Sequence, residues 1–327
     1  MRIAILEDYQ DAVRHLPCFS LLSGHDVDIF TKCMGLEEMT RVLIPYEALV
    51  LIRERTQIDE LLLSRLPRLR IISQTGKLSG NVDVKAARRH GVVLLEGVGD
   101  PTAPAELSWA LLMAAYRRIP QYVSQLKENR WQCVSLEDSH NTIGRALKGD
   151  VLGIWGYGKI GRRMARFARA FDMDVMVWGS EESRSRAISE GYRAARSKRS
   201  FFSEADVVTL HLRLNASTRG LVQAGDLSSM KSSALLLNTS RAELIAPGAL
   251  LESLQKGRPG FAAVDVFERE PIEPNAPLLN MPNVIATPHL GYVEQKSYEH
   301  YFTAALHNLI EFINGRGAML CNRSQLT

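Results

Sequence analysis

Short apolar runs alternate with amphipathic stretches along the first third of the chain. The runs predict five strands, over 3–6, 27–30, 48–52, 69–73 and 92–95. The segments between them are long enough to form crossover helices. This alternation is typical of a parallel sheet with helices on both faces, so we expect an α/β domain.

A second series of apolar runs predicts six more strands, over 151–155, 175–178, 207–211, 234–239, 262–266 and 284–287. A full dinucleotide-binding domain has six strands. An apolar helix predicted over 102–119 is expected to be buried against another domain or another subunit. A last helix, predicted over 294–314, follows the six strands and is expected to pack back on the first domain.

Length and composition narrow the class of protein. A chain of 327 residues suits two domains, because single hydrophobic cores stop growing near ~250–300 residues. No apolar run reaches the ~20 residues that a membrane-spanning helix needs. The start of the chain becomes acidic at Glu7, unlike a signal peptide. We therefore expect a cytoplasmic protein without a membrane partner.

Charge and cysteine content indicate whether the protein binds nucleic acid or a metal ion. The formal net charge is only +4, with Lys and Arg scattered, so no nucleic-acid partner is expected. The cysteines form no CxxC pair, so we expect reduced thiols and no metal site. They are Cys18, Cys33, Cys133 and Cys321.

A glycine-rich turn follows the first strand of the second series. Gly156, Gly158 and Gly161 match the GxGxxG pattern at the start of a predicted helix. In that pattern the first glycine permits a tight turn, the second lets backbone N–H groups approach a pyrophosphate, and the third lets helix and strand pack closely. The helix N-terminus attracts the same anion. The residues expected to bind a nicotinamide dinucleotide are Gly156, Tyr157, Gly158, Lys159, Ile160 and Gly161.

The end of the next strand bears on the choice between NAD(H) and NADP(H). No acid stands directly after it, where Asp or Glu usually binds the ribose 2′-hydroxyl and repels a 2′-phosphate. Ser180 can hydrogen-bond a phosphate, and Arg184 or Arg186 can neutralise its charge. Glu181 and Glu182 would repel it. The pattern favours NADP(H) over NAD(H).

Three charged or titratable residues follow predicted strands of the second series. Arg241 comes after 234–239, Glu270 after 262–266 and His289 after 284–287. Parallel strands end at one edge of the sheet, and open α/β sheets bind their ligands at that edge. We therefore expect the three side chains to converge beside the nicotinamide.

Together these motifs resemble the D-isomer-specific 2-hydroxyacid dehydrogenase family over almost the whole chain. The resemblance rests on the glycine-rich turn, Asn238-Thr-Ser-Arg241, Asp265-Val-Phe with Glu270-Pro271, and Thr287-Pro-His289. It implies a Rossmann-type dinucleotide-binding domain over 100–290 and a smaller flavodoxin-like substrate domain, discontinuous over 1–99 and 291–327. It also implies a homodimer that pairs the dinucleotide-binding domains.

The resemblance implies a role for each polar group. His289 would donate a proton to the substrate carbonyl oxygen as hydride arrives, since imidazole titrates near neutral pH. Glu270 would hold the other ring nitrogen, and Arg241 would bind the substrate carboxylate. Further cofactor contacts are expected at Asp265, Thr102 and Thr239.

The substrate domain is expected to contribute a carboxylate-binding loop. The family uses backbone N–H groups of a loop that here contains Gly76, Lys77 and Leu78, and Leu78 stands where a second glycine is usual. Lys77 and Leu78 would supply the N–H groups. Arg53 either contacts a polar tail of the substrate or pairs with Glu54 or Asp83.

These features predict an NAD(P)-dependent oxidoreductase that moves hydride to or from C2 of a small 2-oxo or 2-hydroxy acid. The expected substrate is of the glyoxylate or hydroxypyruvate type, with D specificity. A phosphoglycerate-type dehydrogenase is one alternative. The other is a non-catalytic, dinucleotide-sensing protein similar to the C-terminal-binding corepressors, which share the fold. Turnover of a 2-oxo acid discriminates between enzyme and sensor.

Overall fold

The computed structural model describes residues 1–137 and 141–316 of the chain. Cys321 and the end of the predicted substrate domain lie outside the described residues. The chain divides into two compact units, one of Met1–Asp100 with the residues from Glu294 onward, and one of Pro101–Val293. Within the described ranges, no helix is both long and apolar enough to cross a membrane.

The first unit contains a five-stranded parallel sheet. Its strands are β1 (Arg2–Leu6), β2 (Asp26–Ile29), β3 (Ala48–Leu51), β4 (Ile71–Gln74) and β5 (Val93–Glu96). They pair in the order β2-β1-β3-β4-β5. This is the flavodoxin-like order, so the fold predicted for this part of the chain is confirmed.

Four α-helices belong to the described part of this unit: α1 (Leu36–Leu43), α2 (Glu60–Ser64), α3 (Val84–Arg89) and, last in chain order, α11 (Gln295–Ile313). Asp83 caps α3, since its carboxylate accepts a hydrogen bond from the Ala86 N–H at 2.9 Å. Glu294 caps α11 in the same way. The helix packs against β4, where the Ser73 hydroxyl donates to the Ala305 carbonyl at 2.8 Å.

The second unit contains a seven-stranded parallel sheet. Its strands are β6 (Val151–Trp155), β7 (Asp174–Trp178), β8 (Arg193–Ala194), β9 (Val207–Leu210), β10 (Leu235–Asn238), β11 (Phe261–Val264) and β12 (Val284–Ala286). They pair in the order β12-β11-β10-β9-β6-β7-β8. The strand order reverses between β6 and β9, as in Rossmann folds, which confirms the predicted class. Ligands of such sheets bind outside the carboxyl ends of the strands at this reversal.

Helices cover both faces of this sheet: α4 (Thr102–Arg117), α5 (Ile119–Lys127), α6 (Lys159–Ala170), α7 (Glu181–Ser189), α8 (Lys198–Glu204), α9 (Ala224–Ser228) and α10 (Ala249–Gln255). The central strands β9 and β10 are buried over their whole length, which explains why the sequence shows them as continuous apolar runs. On α6, Met164, Ala165 and Ala168 form the buried face that packs on the sheet.

Two details of the sequence prediction were wrong. The strand β8 was missed because its two residues are too few and too polar to form an apolar run. The helix predicted over 102–119 ends at Arg117, because Arg118 takes the left-handed φ of 53°, and α5 begins at Ile119 with Pro120 in its first turn. The buried face of α4 includes Leu111 and Leu112, which lie in the core of its own unit, and the burial of this helix against another domain or subunit stays a prediction.

Candidate active site

The glycine-rich turn joins β6 to α6. Gly156 has φ 103°, and a Cβ there would lie 2.4 Å from the His211 carbonyl oxygen, so the position requires glycine. A Cβ at Gly161 would lie 2.2 Å from the Gly156 oxygen, whereas one at Gly158 would meet open space. The first turn of α6 has no acidic residue and no side-chain cap. Its N–H groups therefore fit a phosphate group of a dinucleotide.

The three other residues of the turn have different surroundings. Lys159 is exposed, and Ile160 packs on the core. Tyr157 is buried, with its hydroxyl donating to Glu190 Oε2 at 2.7 Å. The ring and hydroxyl of Tyr157 are thus engaged in the interior of the unit, and the predicted cofactor contact of this residue stays a prediction for its backbone.

The residues after β7 begin α7. The Ser180 hydroxyl caps this helix by accepting a backbone N–H at 3.3 Å. Arg186 pairs with Glu182 at 2.6 Å, so its charge is already neutralised. The guanidinium carbon of Arg184 lies 5.0 Å from the centre of the Trp178 ring. Of the two arginines predicted to meet a 2′-phosphate, Arg184 is the better placed.

His289 and Glu270 form a hydrogen-bonded pair at the carboxyl edge of the sheet. His289 follows β12 with φ 53°, in the left-handed region that few non-glycine residues adopt. Its Nδ1 lies 2.6 Å from Glu270 Oε2, and Glu270 Oε1 accepts the Phe267 N–H at 2.9 Å. The contact fixes the ring through Nδ1, so Nε2 is the nitrogen that can act on another molecule. The structure thus brings together two of the three predicted catalytic residues.

Asp265, directly after β11, is fully buried. Its Oδ1 accepts the Thr287 hydroxyl at 2.6 Å and the Leu290 N–H at 2.7 Å, and its Oδ2 accepts the Gly291 N–H at 2.8 Å. Burial raises the pKa of Asp265, and these hydrogen bonds oppose the rise. The carboxyl group thus holds the chain on both sides of His289, a positioning role that the sequence did not predict.

Arg241 follows β10, so it lies at the same edge of the sheet as His289. The buried Asn238 fixes the turn, because its amide donates to the Arg241 carbonyl at 2.9 Å and accepts the Ser240 N–H at 3.1 Å. Arg241 Nη1 donates to the Ser240 carbonyl at 2.6 Å. The carboxyl ends of parallel strands share one edge, which accounts for this common placement.

The two predicted threonine contacts both involve α4. The Thr239 hydroxyl lies 2.6 Å from the Ser108 hydroxyl, which donates to the Pro104 carbonyl. Thr102 is the first residue of the same helix. The Thr239 side chain is therefore engaged with α4, and its backbone is the part that remains for a cofactor.

In the first unit, Arg53 follows β3 with φ 54°. Its Nε lies 3.6 Å from Glu54 Oε2, as one of the two sequence interpretations expected. A Cβ at Gly76 would lie 2.4 Å from Arg53 Nη1, so the guanidinium also lies against the predicted carboxylate-binding loop. The glycine is what allows this close approach.

One of the two N–H groups predicted to bind the substrate carboxylate in that loop contacts Glu96 instead, and the contact of the other, the Lys77 N–H, stays a prediction. The Leu78 N–H donates to Glu96 Oε1 at 2.8 Å, and Lys77 Nζ lies 2.9 Å from Glu96 Oε2. The prediction for the Leu78 N–H is therefore corrected. A carboxylate of the chain itself, at the end of β5, occupies the donor that was expected to face a substrate.

His211 follows β9, directly beneath the glycine-rich turn. Its carbonyl oxygen packs against Gly156, and its Nε2 lies 2.8 Å from the Thr209 hydroxyl. Burial lowers the pKa of His211 to about 4. The neutral ring is thus part of the support beneath the glycine-rich turn.

Comparisons with known proteins agree with these features. Residues 109–291, more than half of the chain, match the family model described as D-isomer specific 2-hydroxyacid dehydrogenase, NAD binding domain. A glyoxylate reductase from Aeropyrum pernix is 35% identical over 83% of this chain and 84% of that protein. A crystal structure of a phosphoglycerate oxidoreductase from Vibrio cholerae is 52% identical, with a TM-score of 0.93, and the match covers 96% of this chain and 99% of that one.

The relatives differ in length. A D-3-phosphoglycerate dehydrogenase from Archaeoglobus fulgidus is 32% identical over 82% of this chain, but the match spans only 50% of that protein. The chain thus spans about half the length of this relative and most of the length of the glyoxylate reductase. The family match and the relatives show that this chain belongs to the D-isomer specific 2-hydroxyacid dehydrogenase family.

Proposed function

We propose that the protein transfers hydride between NAD(P)H and C2 of a small 2-oxo or 2-hydroxy acid, with D specificity. The observation that carries this proposal is the 2.6 Å contact between His289 and Glu270 at the edge of the sheet where dinucleotides bind. Membership of a family of nicotinamide-dependent dehydrogenases supports it.

The reduced nicotinamide supplies the hydride, and the residues of this chain manage the proton and the charge. His289 Nε2 gives a proton to the carbonyl oxygen, because Nδ1 is held by Glu270. The contact with the Glu270 carboxylate holds the ring in the orientation that this transfer needs. Arg241 binds the substrate carboxylate through its planar guanidinium group.

The favoured substrates are glyoxylate and hydroxypyruvate, since a glyoxylate reductase matches this chain over most of both lengths. A phosphoglycerate is the second candidate. The Vibrio cholerae structure and the longer Archaeoglobus fulgidus protein bear names of that type. The cationic groups beside the first unit's loop, Arg53 and Lys77, suit a phosphate-bearing tail.

The test is a panel of glyoxylate, hydroxypyruvate, pyruvate and 3-phosphohydroxypyruvate with NADH and with NADPH, followed by nicotinamide absorbance. His289→Ala should lower kcat by about 10²–10⁴-fold, the loss typical of a missing general acid. The matched control is His307→Ala, at an exposed histidine of α11. If no 2-oxo acid is turned over, the protein is a dinucleotide sensor and the proposal fails.

For the cofactor we propose NADP(H) over NAD(H). The position after β7 carries Ser180 rather than an acid, and Arg184 lies nearby over Trp178. Arg186 contributes less, because Glu182 neutralises it. Dissociation constants for NADH and NADPH test the assignment, and a tenfold preference for NADH would contradict it.

We propose that the protein is a homodimer. The support lies in α5, where Ile119, Val123 and Leu126 are each about half exposed, as an apolar face covered by a second copy would be. Analytical ultracentrifugation should show a dimer that Val123→Asp weakens. A monomeric wild-type chain would contradict the assignment.

A further inference from the structure

The ring of Tyr292 is a second neighbour of the His289 ring, beside Glu270. The two ring centres lie 5.4 Å apart and the ring planes meet at 71°, which is an edge-to-face contact. Aromatic rings favour this arrangement because the positive edge of one ring faces the negative face of the other. Both residues belong to the unit of Pro101–Val293, so the contact is a property of that unit alone.

The two neighbours of the His289 ring differ in how firmly they are held. The side chains of His289 and Glu270 are 20% and 35% exposed, so water can compete for their hydrogen bond. Tyr292 is only 6% exposed. A carboxylate on a partly exposed side chain can follow the histidine ring as it turns, whereas a buried tyrosine ring is a fixed surface. The Glu270 contact therefore selects the ring nitrogen that faces it, and the Tyr292 contact limits the tilt of the ring.

A backbone turn places Tyr292. The Val293 N–H donates to the Leu290 carbonyl at 2.9 Å, which closes the turn around Gly291 and Tyr292. The Gly291 N–H donates to the buried carboxylate of Asp265 at 2.8 Å, so the turn is anchored to the end of β11. The position of the Tyr292 ring is therefore set by the backbone as well as by its own burial.

We propose that Tyr292 is a positioning residue, whose ring holds the imidazole of His289 at the angle from which Nε2 gives its proton. The inference rests on the proposed function and deepens it, because Tyr292 acts through His289. A general acid must be held within about 10–20° of its productive direction. Its orientation affects the transfer step more than the binding of the 2-oxo acid, so the Tyr292 ring should act on kcat rather than on KM.

Steady-state kinetics of two variants test the proposal, with the 2-oxo acid and dinucleotide that the wild type turns over best. Tyr292→Leu keeps an apolar side chain but removes the ring. Its kcat should fall about three- to tenfold, the cost of one aromatic contact in the transfer step, while KM changes by less than about twofold. Tyr292→Phe keeps the ring and should retain kcat within about twofold of the wild type.

The matched control is Tyr46→Leu, in the other unit. Tyr46 is also buried, and its ring makes an edge-to-face contact with Phe30 at 6.0 Å. It precedes β3, at the amino ends of the strands, so its loss should leave kcat unchanged. Melting temperatures of both leucine variants should fall, because each loses a buried ring. A fall of kcat in Tyr292→Leu alone is then not an effect of stability.

Proton NMR checks the contact without turnover. The ring current of Tyr292 should displace the signals of the His289 ring protons, which are identified by their absence in His289→Ala. The signals should move in Tyr292→Leu and stay in place in Tyr292→Phe. Unmoved signals in Tyr292→Leu would overturn the proposal, because the rings would then not be in contact.

Three kinetic results would also overturn the positioning role while the wild type is active. These are a wild-type kcat in Tyr292→Leu, an equal loss of kcat in Tyr292→Phe, which would assign the effect to the hydroxyl group, and a change confined to KM, which would assign Tyr292 to substrate binding. A wild type that turns over no 2-oxo acid would instead contradict the proposed function itself, and the positioning role would fail with it.

Discussion

At the carboxyl edge of the seven-stranded sheet, Glu270 contacts His289 at 2.6 Å, whereas in the first unit Glu96 contacts Leu78 N–H at 2.8 Å. In the first case the carboxylate orients a side chain whose other nitrogen is left to act. In the second it occupies a donor that a ligand was expected to use. An internal carboxylate can therefore prepare one binding group and compete with another.

Asp265→Asn should have the largest effect, because Asp265 holds the segment that carries His289. An asparagine has one acceptor oxygen, and its NH₂ group would face the N–H groups of Leu290 or Gly291. We expect the free energy of unfolding to fall by about 1–3 kcal/mol and kcat to fall with it. Chemical denaturation and steady-state kinetics measure both, with the exposed Asp172→Asn as control. Unchanged stability would show that Asp265 does not hold the His289 segment.

The pH dependence of stability tests the support beneath the glycine-rich turn. In the unfolded chain His211 takes up a proton near pH 6.5, but in the folded unit only near pH 4. Stability is therefore lost as the pH falls from about 6.5 to 4, by about 3 kcal/mol at most. His211→Gln removes this contribution, so the variant should lose less stability over that window. Equal losses in denaturation at each pH would contradict the buried, neutral ring.

Glu96→Ala tests whether Glu96 competes with a substrate for the Leu78 N–H. It has the smallest expected effect. Removing the carboxylate frees the Leu78 N–H, so the KM for a 2-oxo acid should fall about two- to fivefold if the loop binds the substrate carboxylate. Glu60→Ala is the control, because Glu60 pairs with Arg89 and His90 away from the loop. A KM that rises in Glu96→Ala alone would show that Glu96 shapes the loop rather than competing with the substrate.

Much of the fold could be predicted because buried parallel strands leave continuous apolar runs. The strands β9 and β10 are clear in the sequence for this reason, while β8 is not, since two polar-flanked residues carry no periodic signal. The end of α4 was placed late because helix periodicity continues past Arg118, and only the backbone shows the left-handed turn there.

The contacts of the candidate site were also predictable only in part. The contact of His289 with Glu270 follows from residue types at the ends of neighbouring parallel strands, which sequence motifs record. Backbone donors such as the Leu78 N–H carry no residue-type signal, so their partners depend on distant side chains such as Glu96. The engagement of Tyr157 with Glu190 was missed for the same reason, since nothing local indicates which way its ring points.

A double-mutant cycle on kcat/KM with Glu270→Gln and His289→Ala tests most directly whether Glu270 acts through His289. In the wild-type background Glu270→Gln should lower kcat/KM about 10–100-fold, since the ring loses the carboxylate contact that orients it. In the His289→Ala background the same change should cost less than about twofold, because the group it serves is gone. An equal cost in both backgrounds would contradict the proposed proton-donating pair.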